Sequence, residues 1–117
     1  MAILGFHFSG PYKEKLLRGE KTSTIFDYPA HFVPGQVVQV YASELPNLFD
    51  GVEEERVGTA TIIKSFILSV SALTDKDAVR CGYSDRKALI GSLRKWYSLD
   101  ESSSITYVEF KFDKLVF

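Results

Sequence analysis

The stretch Gly19-Glu20-Lys21-Thr22-Ser23-Thr24-Ile25-Phe26, with Pro34-Gly35-Gln36-Val37-Val38-Gln39-Val40-Tyr41 a short way on, decides how this chain is read. Gly19 stands where a helix-ending glycine belongs. Thr22 to Phe26 is hydroxylated and β-branched, which suits an extended segment. Pro34-Gly35 is turn punctuation, and Val37 to Ala42 reads as a strand. A helix end, a cationic hydroxyl-rich ribbon, a turn and a strand in that order set polar groups beside a sheet. Such a place suits a polar ligand.

Outward from this stretch, Ala2 to Phe8 reads as a first strand. Ser9-Gly10-Pro11 opens a helix, with Pro11 in its first turn. Tyr12, Leu16 and Leu17 form its apolar stripe. Ser43 to Arg56 is an acidic loop in which Asp50-Gly51 predicts a hairpin. Val57 to Val70 is two strands or one bent strand. Thr74 caps a short helix, with Asp77 near its positive end, and that helix stops near Gly82. Ser84 is the expected cap of the next helix, whose buried stripe is Leu89, Leu93, Trp96 and Tyr97. Asp100 to Ser104 is a polar loop. From Ile105 the pattern alternates: Thr106, Val108, Phe110 and Phe112 share one face, and Tyr107, Glu109 and Lys111 the other. Leu115 to Phe117 continue that strand. The order is β, short α, several β, two α, then β. It predicts a mainly β (α+β) fold with a curled mixed sheet, not alternating βαβ units.

With 117 residues, a single domain spanning 1–117 is expected. The 14 basic and 15 acidic residues nearly cancel, so any attraction to a polyanion must come from a local patch. Arg86, Lys87, Arg94 and Lys95 are one candidate, with no acid between them and a solvated helix face as the ordinary explanation. Lys13, Lys15, Arg18 and Lys21 are a second, diluted by Glu14 and Glu20. The single cysteine excludes an internal disulfide and a cysteine-cluster metal site. His7 and His31 have no second ligand at metal spacing. No phosphate-binding glycine loop or Ser-His-Asp set appears, so no cofactor is implied. The start lacks the form of a secretory signal, and no apolar run reaches the roughly 20 residues of a membrane span, so a cytoplasmic protein is expected.

The residues also carry a family likeness. Leu17-Arg18-Gly19-Glu20-Lys21-Thr22-Ser23-Thr24 resembles the helix-end motif of ASCH domains, small proteins of the PUA-like superfamily. Pro34-Gly35-Gln36-Val37-Val38-Gln39-Val40 resembles a second signature. Leu73-Thr74-Asp75-Lys76-Asp77-Ala78 with Gly82-Tyr83-Ser84 resembles a third, and Val108-Glu109-Phe110 the closing strand. The resemblance implies a PUA-like mixed β-barrel flanked by short helices, with a cleft beside Lys21 to Thr24.

Two activities follow from the likeness as expectations. PUA-like folds frequently bind RNA. Some small members act as amidohydrolases on N4-acylated cytidine nucleosides, using a lysine, a threonine and a glutamate. Lys21 and Thr24 occupy the lysine and threonine positions. Cys81 falls where the glutamate stands, and Phe26 where an arginine is common. A threonine nucleophile needs a proton acceptor, and a buried lysine of lowered pKa can serve. Cys81 acts as nucleophile or base only as a thiolate, which needs a positive neighbour. Losing the carboxylate sets binding ahead of hydrolysis. The expected function is therefore binding of RNA or a nucleoside-like ligand. Lys21 supplies charge, Thr22, Ser23 and Thr24 hydrogen bonds, and Phe26 or Tyr28 a stacking surface. His31 is a further cleft contact, and Arg94 and Lys95 would touch phosphates. Hydrolysis through Lys21, Thr24 and Cys81 is the alternative; a protein-interaction module is a third reading.

Overall fold

A computed structural model describes residues 5–8, 10–28, 30–42 and 55–115. The elements run β1 (Gly5–Phe8), α1 (Gly10–Leu17), β2 (Ser23–Phe26), β3 (Val37–Ala42), β4 (Glu55–Ser69), a single tight turn Val70–Ala72, α2 (Asp75–Arg80), α3 (Arg86–Tyr97) and β5 (Ser104–Lys114). The Asp50-Gly51 hairpin, most of the acidic loop, residues 2–4 of the first strand, Ser9, the Trp96 side chain and residues 116–117 lie outside the described residues.

The strands form one mixed sheet in the order β1-β3-β4-β5-β2. β1 runs parallel to β3, and the other pairs are antiparallel. The sheet curls into a half-barrel that brings its two edges together: Phe6 of β1 meets Phe26 of β2 with ring centroids 5.7 Å apart. Val57 to Val70 is mostly one bent strand, not two. Against β5 the pairing passes from Ile62↔Phe110 to Lys64↔Glu109, so Ile63 is an inserted bulge residue that bends β4.

Alternation along the strands serves two cores. Phe6, Phe8, Val38, Val40, Ile62, Val108 and Phe110 fill the inside of the half-barrel, with Leu16 of α1 closing it. Ile105 and Tyr107 point the other way and pack with Leu73, Ala78, Leu89, Ile90 and Leu93 of the helical layer. β5 is thus apolar on both faces, as a strand between two layers must be.

Local chemistry explains the helix ends. Thr74 and Asp77 form a reciprocal capping box at the start of α2. The cap of α3 is Asp85, not Ser84: its carboxylate accepts from the Ala88 N–H at 2.8 Å. The α3 stripe is also narrower than expected, since Leu89 and Leu93 are buried but Tyr97 is half exposed. In α1, Leu16 is fully buried, whereas Leu17 is exposed at the surface. Arg86 is not part of a solvated basic face. Its guanidinium donates to the Leu73 carbonyl at 2.8 Å and to the Glu101 carboxylate at 2.7 Å, tying α3 to the turns on either side.

Candidate functional site

The seam between β1 and β2 is where the half-barrel fails to close, and a cavity of about 240 Å³ lies there. Its walls come from every element that meets at the seam. Phe6 and Phe8 rise from β1, Tyr12 from α1, and Thr24 to Phe26 from β2. Leu93 and Tyr97 of α3 close the far side, and Lys21 and Cys81 lie at the junction of α1 and α2.

Two helix ends put Lys21 there. α1 stops in a Schellman turn: Gly19 takes φ +76°, its N–H donates to the Leu16 carbonyl, and the Glu20 N–H donates to the Lys15 carbonyl. α2 stops in the same way at Gly82 (φ +97°), with the Tyr83 N–H donating to the Ala78 carbonyl. The chain leaving α1 is pinned against α2 by the Thr22 N–H, which donates to the Arg80 carbonyl at 2.8 Å. The last carbonyls of α2 then need donors. Lys15 Nζ donates to the Gly82 carbonyl at 2.6 Å, and Lys21 Nζ to the Cys81 carbonyl at 2.7 Å.

The Lys21 side chain is only 5% exposed. Its second hydrogen bond goes to the Ser23 carbonyl at 2.9 Å, and the ammonium lies 5.0 Å from the Phe8 ring centroid and 5.3 Å from that of Tyr12. Burial lowers its pKa from 10.5 to about 8, with nearby Lys15 pushing the same way. It is still mainly a cation at neutral pH.

Beside it runs a chain of hydroxyls. Tyr12 Oη donates to Tyr83 Oη at 2.8 Å, and Tyr83 Oη lies 2.9 Å from Ser92 Oγ. Burial and the Tyr83 hydrogen bond raise the Tyr12 pKa above the usual phenol value, so this wall stays neutral. Burial also pushes the Cys81 thiol up to about 11; the Lys21 charge opposes this but does not win. Cys81 is a thiol here, and it gives Lys21 its carbonyl, not a thiolate. No carboxylate stands among the described residues lining the cavity.

Four of the sequence candidates meet at this cavity: Lys21, Thr24, Phe26 and Cys81. The bend needed to bring Lys21 and Thr24 to one space is supplied because β2 starts only at Ser23. The remaining candidates lie elsewhere. Thr22 faces a separate open groove lined by Leu16, Leu17, Ile63, Glu109 and Lys111. The Ser23 hydroxyl is buried on the helical side near Tyr107, and neither hydroxyl makes a well-formed hydrogen bond. Tyr28 packs on Phe26 with ring centroids 5.6 Å apart and stays more than half exposed. His31, Arg94 and Lys95 are surface residues away from the cavity wall.

Sequence reading missed most of the wall: Phe6, Phe8, Tyr12, Tyr83, Leu93 and Tyr97. Their signal was the aromatic supply, which reads equally well as core. It also missed Thr106, fully buried, whose Oγ1 accepts from the Ala30 N–H and donates to the Tyr28 carbonyl. That residue anchors the loop leaving β2.

A curled mixed half-barrel carrying three short helices, with its seam beside a helix end, defines an α+β fold. The chain is an ASCH-like domain in its fold. It is similar to the ASCH domain of Lactobacillus crispatus JV V101, with a TM-score of 0.63 and 14% identity over 94% of this chain and 81% of that one. It is also similar to protein EF3133 of Enterococcus faecalis V583, of the family DUF984, with a TM-score of 0.62 and 12% identity over 99% of this chain and 84% of that one. No family model matches the sequence, and no curated protein matches it.

Proposed function

We propose that the domain binds a nucleobase-like group, free or as an unpaired base of RNA, in the seam cavity. One observation carries this reading: a buried ammonium set in a small cavity walled by aromatic rings. Flat aromatic walls accept the face of a base, and Lys21 supplies a donor to a ring carbonyl. The ASCH-like fold supports it as a class. Thr24 joins the Tyr12 and Tyr83 hydroxyls as a polar group on the wall, without the Thr22 and Ser23 hydroxyls expected beside it.

Titration of the chain with nucleosides and short single-stranded RNA, followed by amide chemical shifts, tests the reading. Shifts should cluster on Phe6, Thr24, Cys81 and Leu93. Shifts confined to the α3 surface around Arg94 and Lys95, with strong salt dependence, would move the interaction to a phosphate-contact face and empty this proposal.

Amide hydrolysis is the second reading, favoured by the meeting of Lys21, Thr24 and Cys81 at one cavity. It requires the Lys21 amine to take the Thr24 proton, although both its hydrogen bonds go to carbonyls. It also leaves the departing amine without a carboxylic acid to protonate it. Acetate release from N4-acetylcytidine that disappears in Lys21→Ala would establish it over simple binding.

A further inference from the structure

The geometry points to an acidic ligand for this cavity: a single planar ring bearing a carboxylate or equivalent fixed negative group, seated with that group on the Lys21 ammonium. The inference rests on the base-binding reading above and narrows its ligand class.

Among the described residues, Lys21 is a buried cation without a counter-charge. An ammonium has three N–H donors. Two go to the Ser23 and Cys81 carbonyls, and the third has no acceptor among the described residues. The ion pairs of the described residues use Lys13, Arg18, Arg80 and Arg86, not Lys21. The titratable groups acting on it are Lys15 of α1 and Cys81 at the end of α2, with the Tyr12 ring beside it, and none of them is a carboxylate. Carbonyl dipoles and two ring faces offset part of the desolvation, but a buried charge is well compensated only by an opposite charge. A carboxylate brought by the ligand would supply it and accept the remaining N–H, in the stronger, charge-assisted form.

Size and shape restrict the rest of the ligand. The cavity of about 240 Å³ is below the usual range for drug-sized ligands, which begins at roughly 300 Å³. One ring with one small substituent fits that space, and the bulk of a nucleotide would have to stay outside. Phe8, Phe26 and Tyr97 offer flat apolar contact to the ring.

Calorimetric titration of the full chain with uracil, orotate (uracil-6-carboxylate) and benzoate, near neutral pH and at low salt, tests this. Orotate should bind about tenfold or more tighter than uracil, the gain expected of one charge-assisted contact. Lys21→Met should erase that difference. A wild-type measurement needs no variant: the orotate preference should shrink as pH rises from about 7 to about 9, because the ammonium loses its proton while the carboxylate keeps its charge. Equal affinity for uracil and orotate would overturn the acidic-ligand inference and leave the base pocket standing. Benzoate binding without uracil binding would support the inference and overturn the base pocket. No binding of any of the three would overturn both.

Discussion

Lys21 does two things with one ammonium, and the two are separable by measurement. As a structural group it caps the carbonyl end of α2 and holds the chain leaving α1 against it. As a cavity group it is the one lysine or arginine among the described residues of the wall. Its pKa of about 8 against 10.5 has a definite sign. Between those values the unfolded chain holds the proton and the folded chain has released it, so raising the pH favours folding. Cys81, raised from 9.0 to about 11, works in the opposite direction from pH 9 upward. The interval from about pH 8 to about pH 9 therefore belongs to Lys21, and its contribution there should rise by at most about 1.4 kcal/mol. Urea titrations across that interval should show the rise in the wild type and its absence in Lys21→Met. Cys81 has a plainer expectation. Its thiol is buried and protonated, so native protein should react with iodoacetamide far more slowly than unfolded protein. That Lys21 stands beside a cavity was legible in the Gly19 to Thr24 stretch. Its inward direction was not, because the carbonyl that draws it in belongs to Cys81, far away in sequence.

At the scale of elements, local signals were readable and partner-dependent ones were not. The Gly19 and Gly82 helix ends, the Thr74 cap and the alternation of β5 are written in a few adjacent residues each. Arg86 shows the limit. Its spacing with Lys87, Arg94 and Lys95 looks like a wet face, yet three of its acceptors lie on the turns flanking α2 and β5. Arg86→Lys should destabilise the fold by about 1 kcal/mol in chemical denaturation, because an ammonium cannot reproduce the guanidinium fork. A stability equal to wild type would mean that these bonds add nothing over hydration. β4 depends on a similarly non-local fact. Gly58 crosses β5 so closely that a Cβ would collide with the Asp113 carbonyl and lie 2.9 Å from the Phe112 ring. Gly58→Ala should therefore cost about 1–3 kcal/mol, the usual range for overpacking, seen as a lowered denaturation midpoint with unchanged slope.

Over the described residues the molecule is a sheet that curls until its two edge strands face each other with no pairing between them. Unpaired edges expose backbone donors and acceptors, and short strands covered by helices are one way to protect them. β2 is 4 residues long, and α1 and α3 lie over the gap between it and β1. Phe6 bridges the seam to Phe26 and Phe32 through ring contacts, whereas β4 and β5 are joined along most of their length. Such an arrangement makes the seam the least cooperative part of the sheet and also the place where a ligand would add most. A ligand that binds only the folded chain stabilises it by about 2.7 kcal/mol at a hundredfold excess over its dissociation constant. Hydrogen exchange should show where that energy goes. Amides of Phe6 to Phe8, Ile25, Phe26 and the last turn of α3 should slow on ligand binding. Central amides of the β4–β5 pair should change only as much as global stability requires. Uniform slowing across the sheet would instead mean that the seam opens only with the whole fold, and the division into a firm β3–β4–β5 frame and a ligand-tightened edge would be lost.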